Sequence, residues 1–130
     1  MVRAMVRLVL AAFVAVAACT QTDNDRPATL AYITEAILQP NCAQDVCHSS
    51  YRREKGYAFD TVDNARRSIR PSASAPSLVN TDDPPTSLLY TVLTRKIKRM
   101  PYDAPLEDKD IELILLWIQK NAAKDLGISP

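Results

Sequence analysis

The chain has 130 residues, with 16 basic and 15 acidic side chains and a formal charge of +1. That balance gives no bulk positive charge for a nucleic-acid partner, and the length allows a leader and one small domain. Apolar content is 47 %, as in a globular protein. Large aromatics are scarce, because Phe13 falls in the leader and the domain keeps Phe59, Trp117 and five tyrosines. So thin a core in so short a chain calls for a staple or a bound group.

Arg3 and Arg7 precede an apolar run, Leu8 to Ala18, that is too short to span a bilayer. It ends Val16-Ala17-Ala18-Cys19. This ending resembles the bacterial lipoprotein signal, in which the cysteine is lipidated and becomes the first residue. Residues 1–18 are therefore expected to be a signal peptide and Cys19 a lipid anchor. Thr20, in place of aspartate after that cysteine, resembles an outer-membrane sorting signal. Loss of Arg3 and Arg7 takes the formal charge from +1 to −1. Residues 19–29 are polar and read as a tether.

Residues 30–124 form the expected domain, with a tail at 125–130. Leu30, Ile33 and Ile37 recur at helical steps, predicting a helix from about 28 to 38 that Pro40 and Asn41 end. Cys42-Ala43-Gln44-Asp45-Val46-Cys47-His48 follows directly. Residues 49–55 read as a solvated loop, with Gly56 marking a turn and Tyr57-Ala58-Phe59 a short apolar patch. Asp60 or Thr61 is positioned to cap a helix to Ile69, with Ala65 and Ile69 inward. Its Arg66, Arg67 and Arg70 are either solvated or within reach of an anionic group. Residues 71–85, with four prolines and three serines, read as a long loop.

A second long helix is predicted from Pro85–Ser87, with Leu88, Leu89, Val92, Leu93 and Ile97 as its apolar stripe. Arg95, Lys96, Lys98 and Arg99 would sit at its C-terminal end. There they compensate the helix dipole or dock an acidic partner. Pro101 places Met100 on a loop. A last helix is predicted from Glu107 to Ala123, with Leu106 and Ile111 as a hydrophobic staple and acidic residues in its first turn. Leu113 to Ile118 is apolar throughout, the pattern of a helix dry on more than one face. Asn121 or Gly127 supplies a left-handed terminator.

The chemistry concentrates in Cys42 to His48. Two thiols with an imidazole directly after the second is the arrangement of a covalently attached haem c. Each thiol adds to a porphyrin vinyl group, and the imidazole ligates the iron. Four residues separate these cysteines where two is usual, so the intervening residues must bulge away from the ring. The alternatives are a Cys42–Cys47 disulfide in an exported domain and a partial zinc site. The mature chain holds one histidine, His48, and one methionine, Met100. A single haem c with His48 and Met100 as axial ligands uses every such donor. A disulfide leaves both unexplained, and zinc takes a thioether poorly.

The blocks Ile37-Leu38-Gln39-Pro40-Asn41-Cys42, Cys47-His48-Ser49, Asp83-Pro84-Pro85-Thr86-Ser87-Leu88-Leu89-Tyr90, Arg99-Met100-Pro101, Pro105-Leu106 and Ile111 through Trp117-Ile118 stand in that order. Together they resemble small class I cytochrome c domains of planctomycete and myxobacterial exported proteins, over about residues 30–122. Asp82, and Asn121 after the Trp-Ile pair, stand where those domains often carry glycine. The resemblance implies an all-α domain wrapped around one haem, with Cys42 and Cys47 binding it, His48 the proximal ligand and Met100 the distal one. The expected function is a lipid-anchored, periplasmic one-electron carrier that serves redox partner proteins and transforms no substrate itself. Two alternatives accompany it. One is a non-redox lipoprotein with a Cys42–Cys47 disulfide that acts as a binding or scaffold module. The other is an enzyme subunit with an open iron site, which requires Met100 not to bind.

Overall fold

The structure, a computed structural model, describes residues 25–128. The leader, Cys19 and the start of the tether lie outside the described residues. The domain is all-α, with no strand among the described residues.

Helix α1 runs over residues 30–42 in three continuous segments, Leu30–Ile33, Thr34–Leu38 and Gln39–Cys42, of which the middle one is π-helical. Thr29 caps it, its side chain accepting from the Tyr32 N–H. Leu30, Ile33, Ile37 and Leu38 are buried, as the periodicity predicts. The expected stop at Pro40 is corrected, because the helix passes through it to Cys42. A proline lacks the N–H that would bond four residues back, and its ring clashes with that carbonyl. The π winding just before it relieves both problems. Gln39 N–H reaches Thr34 O, and Asn41 Nδ2 donates to Ile37 O at 2.8 Å.

Helix α2, Val62–Ile69, begins at Thr61, whose side chain accepts from the Asn64 N–H, and it buries Ala65 and Ile69. Arg70, extended before Pro71, ends it. The following loop is no simple rim. Leu78 and Val79 are buried, Leu78 N–H bonds Ile69 O, and Leu89 N–H bonds Leu78 O, both at 2.9 Å.

Helix α3, Leu88–Thr94, is shorter than predicted. Ile97 is consequently exposed, and the cations 95–99 lie beyond the helix rather than on its last turn. Extending α3 would stack like charges three and four residues apart. Thr94 and Thr91 also spend their hydroxyls on helix carbonyls, those of Tyr90, Thr91 and Leu88, which weakens the helix. Helix α4, Asp108–Lys120, follows from Glu107. It buries Leu113, Ile114, Trp117 and Ile118. Asn121 breaks it without adopting a left-handed conformation, and a short α5, Ala122–Leu126, ends at left-handed Gly127.

α1 packs on α2 and α4, α3 on α4, and α5 on α2 and α4. Asp125 ties the ends of the chain together, its carboxylate accepting from the Leu30 N–H (2.8 Å) and from Trp117 Nε1 (3.0 Å). Leu126 is buried, Ile128 packs on the core, and Arg26 bridges to Asp110. Packing therefore extends beyond residues 30–124 at both ends. The predicted tail contributes the polar group that satisfies an orphan N–H of α1.

Candidate functional site

Because α1 continues through Pro40, Cys42 is its last residue, and the helix presents the first thiol at its C-terminal end. The chain then closes a loop on itself. Cys47 N–H donates to Gln44 O (2.8 Å), and His48 N–H donates to Cys42 O (3.0 Å). Gln44, Asp45 and Val46 are exposed, whereas Cys42, Cys47 and His48 are half-buried. The extra length between the cysteines is thus taken up in an outward bulge. Both thiols are free.

His48 is held from several sides. Its carbonyl accepts from the Phe59 N–H (2.7 Å), and the Glu54 N–H donates to Cys47 O (3.0 Å). Its Nδ1 lies 3.0 Å from the Glu54 carbonyl oxygen. A carbonyl can only accept, so Nδ1 carries the proton. In the neutral ring, Nε2 then carries the lone pair. Phe59 meets the ring edge-on with centroids 5.4 Å apart, and Tyr57 lies at 6.1 Å. The Glu54 carbonyl arrives through a tight turn with left-handed Arg53 (φ 50°), Lys55 (φ 55°) and Gly56 (φ 84°). Only the glycine adopts that region without steric cost.

Asp60 fixes the next link. Its carboxylate accepts the Ser50 N–H (2.8 Å), the Ser50 hydroxyl and Asn64 Nδ2 (2.7 Å). The Ser50 hydroxyl, followed by Asn64, holds this carboxyl down at about 2, against a partial opposing effect of burial. Ser68, on α2, bonds both backbone polar groups of Ala58 and so fixes the segment between Tyr57 and Phe59.

Met100 lies on a loop after α3, as predicted. Its N–H donates to Val92 O (2.8 Å), and its side chain, half-buried, packs on the same core as Cys42. The Cys42 thiol is pushed up to about 12, first by burial, then by Cys47 and then by the Asp103 carboxylate. It stays protonated at physiological pH and is a slow nucleophile. Asp103 stands three residues after Met100, so its influence on Cys42 brings the methionine loop to the α1 end of the site. The His48 ring itself meets Tyr57, Phe59 and the Glu54 carbonyl.

Exposed apolar side chains gather at the same two loops. Of five large ones among the described residues, Val46 (79 %) and Tyr51 (92 %) flank Cys47 and His48, while Ile97 (78 %) and Tyr102 (74 %) flank Met100. No group of three or more His, Cys, Asp and Glu converges among the described residues. Cys42, Cys47 and His48 therefore do not form the chelate a zinc site needs. On α2, Arg66 bonds Asp63 and the Asp125 carbonyl and Arg67 bonds Asn64, so both serve the helix packing, while Arg70, just past the helix, is exposed.

Sequence reasoning missed the Glu54 carbonyl, the Asp60 clamp and the electrostatic reach of Asp103. The Tyr57–Phe59 patch beside Gly56 was a usable signal for the wall behind His48. A backbone carbonyl leaves no such trace. No family model, curated protein or solved structure matches the chain.

Proposed function

We propose that this chain is a class I-type monohaem cytochrome c, a one-electron carrier held on the periplasmic side of a bacterial membrane by lipid at Cys19. One observation carries the reading. An imidazole whose Nδ1 proton is committed to the Glu54 carbonyl, leaving the Nε2 lone pair, follows directly on one free thiol, and a second free thiol closes the same loop. Imidazole ligands to metals are characteristically fixed through the other ring nitrogen in this way. The exposure of residues 44–46 supports this reading, because the extra length between the cysteines has room to bulge outward. The bare apolar side chains at 51, 97 and 102 give a flat apolar ring a reason to lie between the two loops.

In this reading Cys42 and Cys47 would hold the haem by thioether bonds, and His48 Nε2 and the Met100 sulfur would ligate its iron. The bound haem supplies reversible one-electron iron chemistry. The chain orients the imidazole through Glu54, walls it with Phe59 and Tyr57, and keeps water back with its apolar loops. A thioether ligand sets a higher potential than a harder donor does. The partners are redox proteins.

The test is an intact mass of the full chain expressed in a host with haem-attachment machinery. Addition of a thiol S–H across each vinyl group loses no atoms, so the mass should exceed that of the acylated polypeptide by one whole haem. The haem should survive denaturation, and Cys42→Ser with Cys47→Ser should abolish it. A mass lower by two hydrogens, without haem, would establish the disulfide-bonded scaffold instead. Cys19→Ser should release the domain from the membrane fraction with its spectrum unchanged. A wild-type protein that is wholly soluble after export would remove the anchor.

A further inference from the structure

Residues 19–29 read in sequence as one tether, but the structure takes the last of them into the domain. Arg26 grips the first turn of α4 twice, through an ion pair of Nη1 with the Asp110 carboxylate and a bond from Nη2 to the Lys109 carbonyl oxygen at 2.9 Å. Both side chains of the pair are 19 % exposed. Two residues on, the Ala28 carbonyl accepts from Asn121 Nδ2 at 2.6 Å, at the far end of the same helix. From Asp110 to Asn121 is about 16 Å along a helix axis. Residues 26–28 therefore lie along α4, the backbone covering part of that distance and the arginine side chain the rest. Traced back from Ala28, the chain runs towards the start of α4, which is also where the methionine loop ends, joined to it through Leu106 and Glu107. Helix α1 has its own ties, since Thr29 caps it and Asp125 takes the Leu30 N–H. What Arg26 fixes is the side from which the preceding residues leave the domain.

Resting on the lipid anchor at Cys19, we propose that residues 26–28 are a strap that holds the methionine-loop end of the domain towards the lipid surface in which that anchor sits. The span from Cys19 to Arg26 reaches at most about 25 Å when fully extended. With α1 as the first fixed point, the span from Cys19 to Leu30 would reach about 40 Å. A domain of about 100 residues has a radius of gyration near 13 Å and, as a sphere, is roughly 34 Å across. The longer span could lift its point of attachment to the far side of the domain, so that any side could face the bilayer. The strapped span cannot. The end so held exposes both signs of charge, Arg95, Lys96 and Lys98 against Asp103, Glu107 and Asp108. Its direction is therefore set by the strap rather than by attraction to charged lipid. The candidate site then works close to the membrane surface, and a redox partner must meet it there.

The experiment places the full lipidated chain on phosphatidylcholine nanodiscs, with and without a gadolinium chelate on some of the headgroups. Backbone amides that lie near the headgroups lose NMR signal to the gadolinium. In the wild type, amides of residues 95–110 should lose more than those of residues 121–126, at the other end of α4. In Arg26→Gln and in Asp110→Ala that difference should shrink, because the longer span lets the domain turn, while the haem spectrum is kept. Equal loss across the wild-type domain, or greater loss at 121–126, overturns the strap. So does a difference that persists in both variants. Loss of the fold in both variants overturns it as well, since Arg26 and Asp110 would then be a structural pair. A wild-type chain without lipid overturns the anchor reading, and this inference with it. A lipidated chain without haem overturns the cytochrome reading alone, and the gradient along α4 is then read on that chain.

Discussion

The two loops that bracket the candidate site are built differently. The first, residues 42–60, is braced along its length. Cys42, Gln44, Cys47 and His48 all offer carbonyls to later N–H groups, Asp60 clamps Ser50, and the His48 ring is set by a carbonyl and two aromatic rings. The second, residues 95–105, is tied back to α3 through the Arg95 and Met100 N–H groups and also bonds within itself, at Arg95–Lys98 and Asp103–Ala104. The braced loop carries the groups that must be aimed before anything binds. The lightly tied loop carries a thioether whose unbranched side chain adapts its reach. On the proposed reading, preorganisation is concentrated at the imidazole and closure is left to the methionine.

The largest expected effect comes from removing that closure. Met100→Ala should keep covalent haem but open a coordination position. The variant should lose the sulfur-to-iron band, bind cyanide or carbon monoxide more readily, and show a lower potential. A half-buried methionine that merely packed would instead cost up to about 2–5 kcal/mol of stability with iron ligation unchanged. Spectrum and denaturation measured on one sample separate the two outcomes. An unaltered ligand-field spectrum in a well-folded Met100→Ala protein would revive the open-site enzyme.

A smaller effect tests the braced side. Asp60→Asn removes an ionised acceptor of three bonds. The folded-state carboxyl lies at about 2, below its ordinary 3.8. Its contribution is therefore present above about pH 4 and is lost as the pH falls through 2. Much of the carboxylate meets solvent, so the contribution is no more than about 1 kcal/mol. Wild-type and Asp60→Asn chains should differ in urea midpoint at pH 6 and converge near pH 2. A constant difference across that range would place the effect in packing rather than in the charge.

The contrast between the loops also marks what the sequence made legible. The Thr61 cap, the inward Ala65 and Ile69, the Met100 loop and the left-handed Gly127 are local decisions, and local residue chemistry announces them. The apolar run 113–118 signalled a helix dry on more than one face, whereas Leu113, Ile114, Trp117 and Ile118 are buried along one stripe and Leu115 and Leu116 are half-buried. Three features were illegible for a common reason. Pro40 is carried by winding set five residues earlier, Ile97 falls outside α3 because the helix stops at Thr94, and Arg99 parts from its neighbours through a turn at Lys98. Each depends on where a backbone segment goes, which residue type alone does not encode. Arg53 and Lys55 carry no turn signature, yet they make the turn that sets His48.

That turn supplies the smallest effect and the sharpest test of the braced loop. Lys55 sits at φ 55°, ψ 21°, is exposed, and has its charge near Glu54 at 3.8 Å. A left-handed conformation costs a non-glycine residue about 1–2 kcal/mol, and the surface pair returns at most about 1 kcal/mol. Lys55→Gly relieves the strain but loosens the unfolded chain by about 0.5–1 kcal/mol. With the pair lost as well, the net change should lie within about 1 kcal/mol of zero. Lys55→Val, whose branched side chain resists this region, should destabilise by about 1 kcal/mol or more. The strain sits one residue from the carbonyl that holds His48 Nδ1, so its relief bears on aim as well as on stability. If the turn is held by the rest of the loop, Lys55→Gly should leave the haem spectrum unchanged and the urea midpoint little moved. If the spectrum broadens instead, Lys55 is itself part of what orients the imidazole, and the bracing is less redundant than its hydrogen bonds imply.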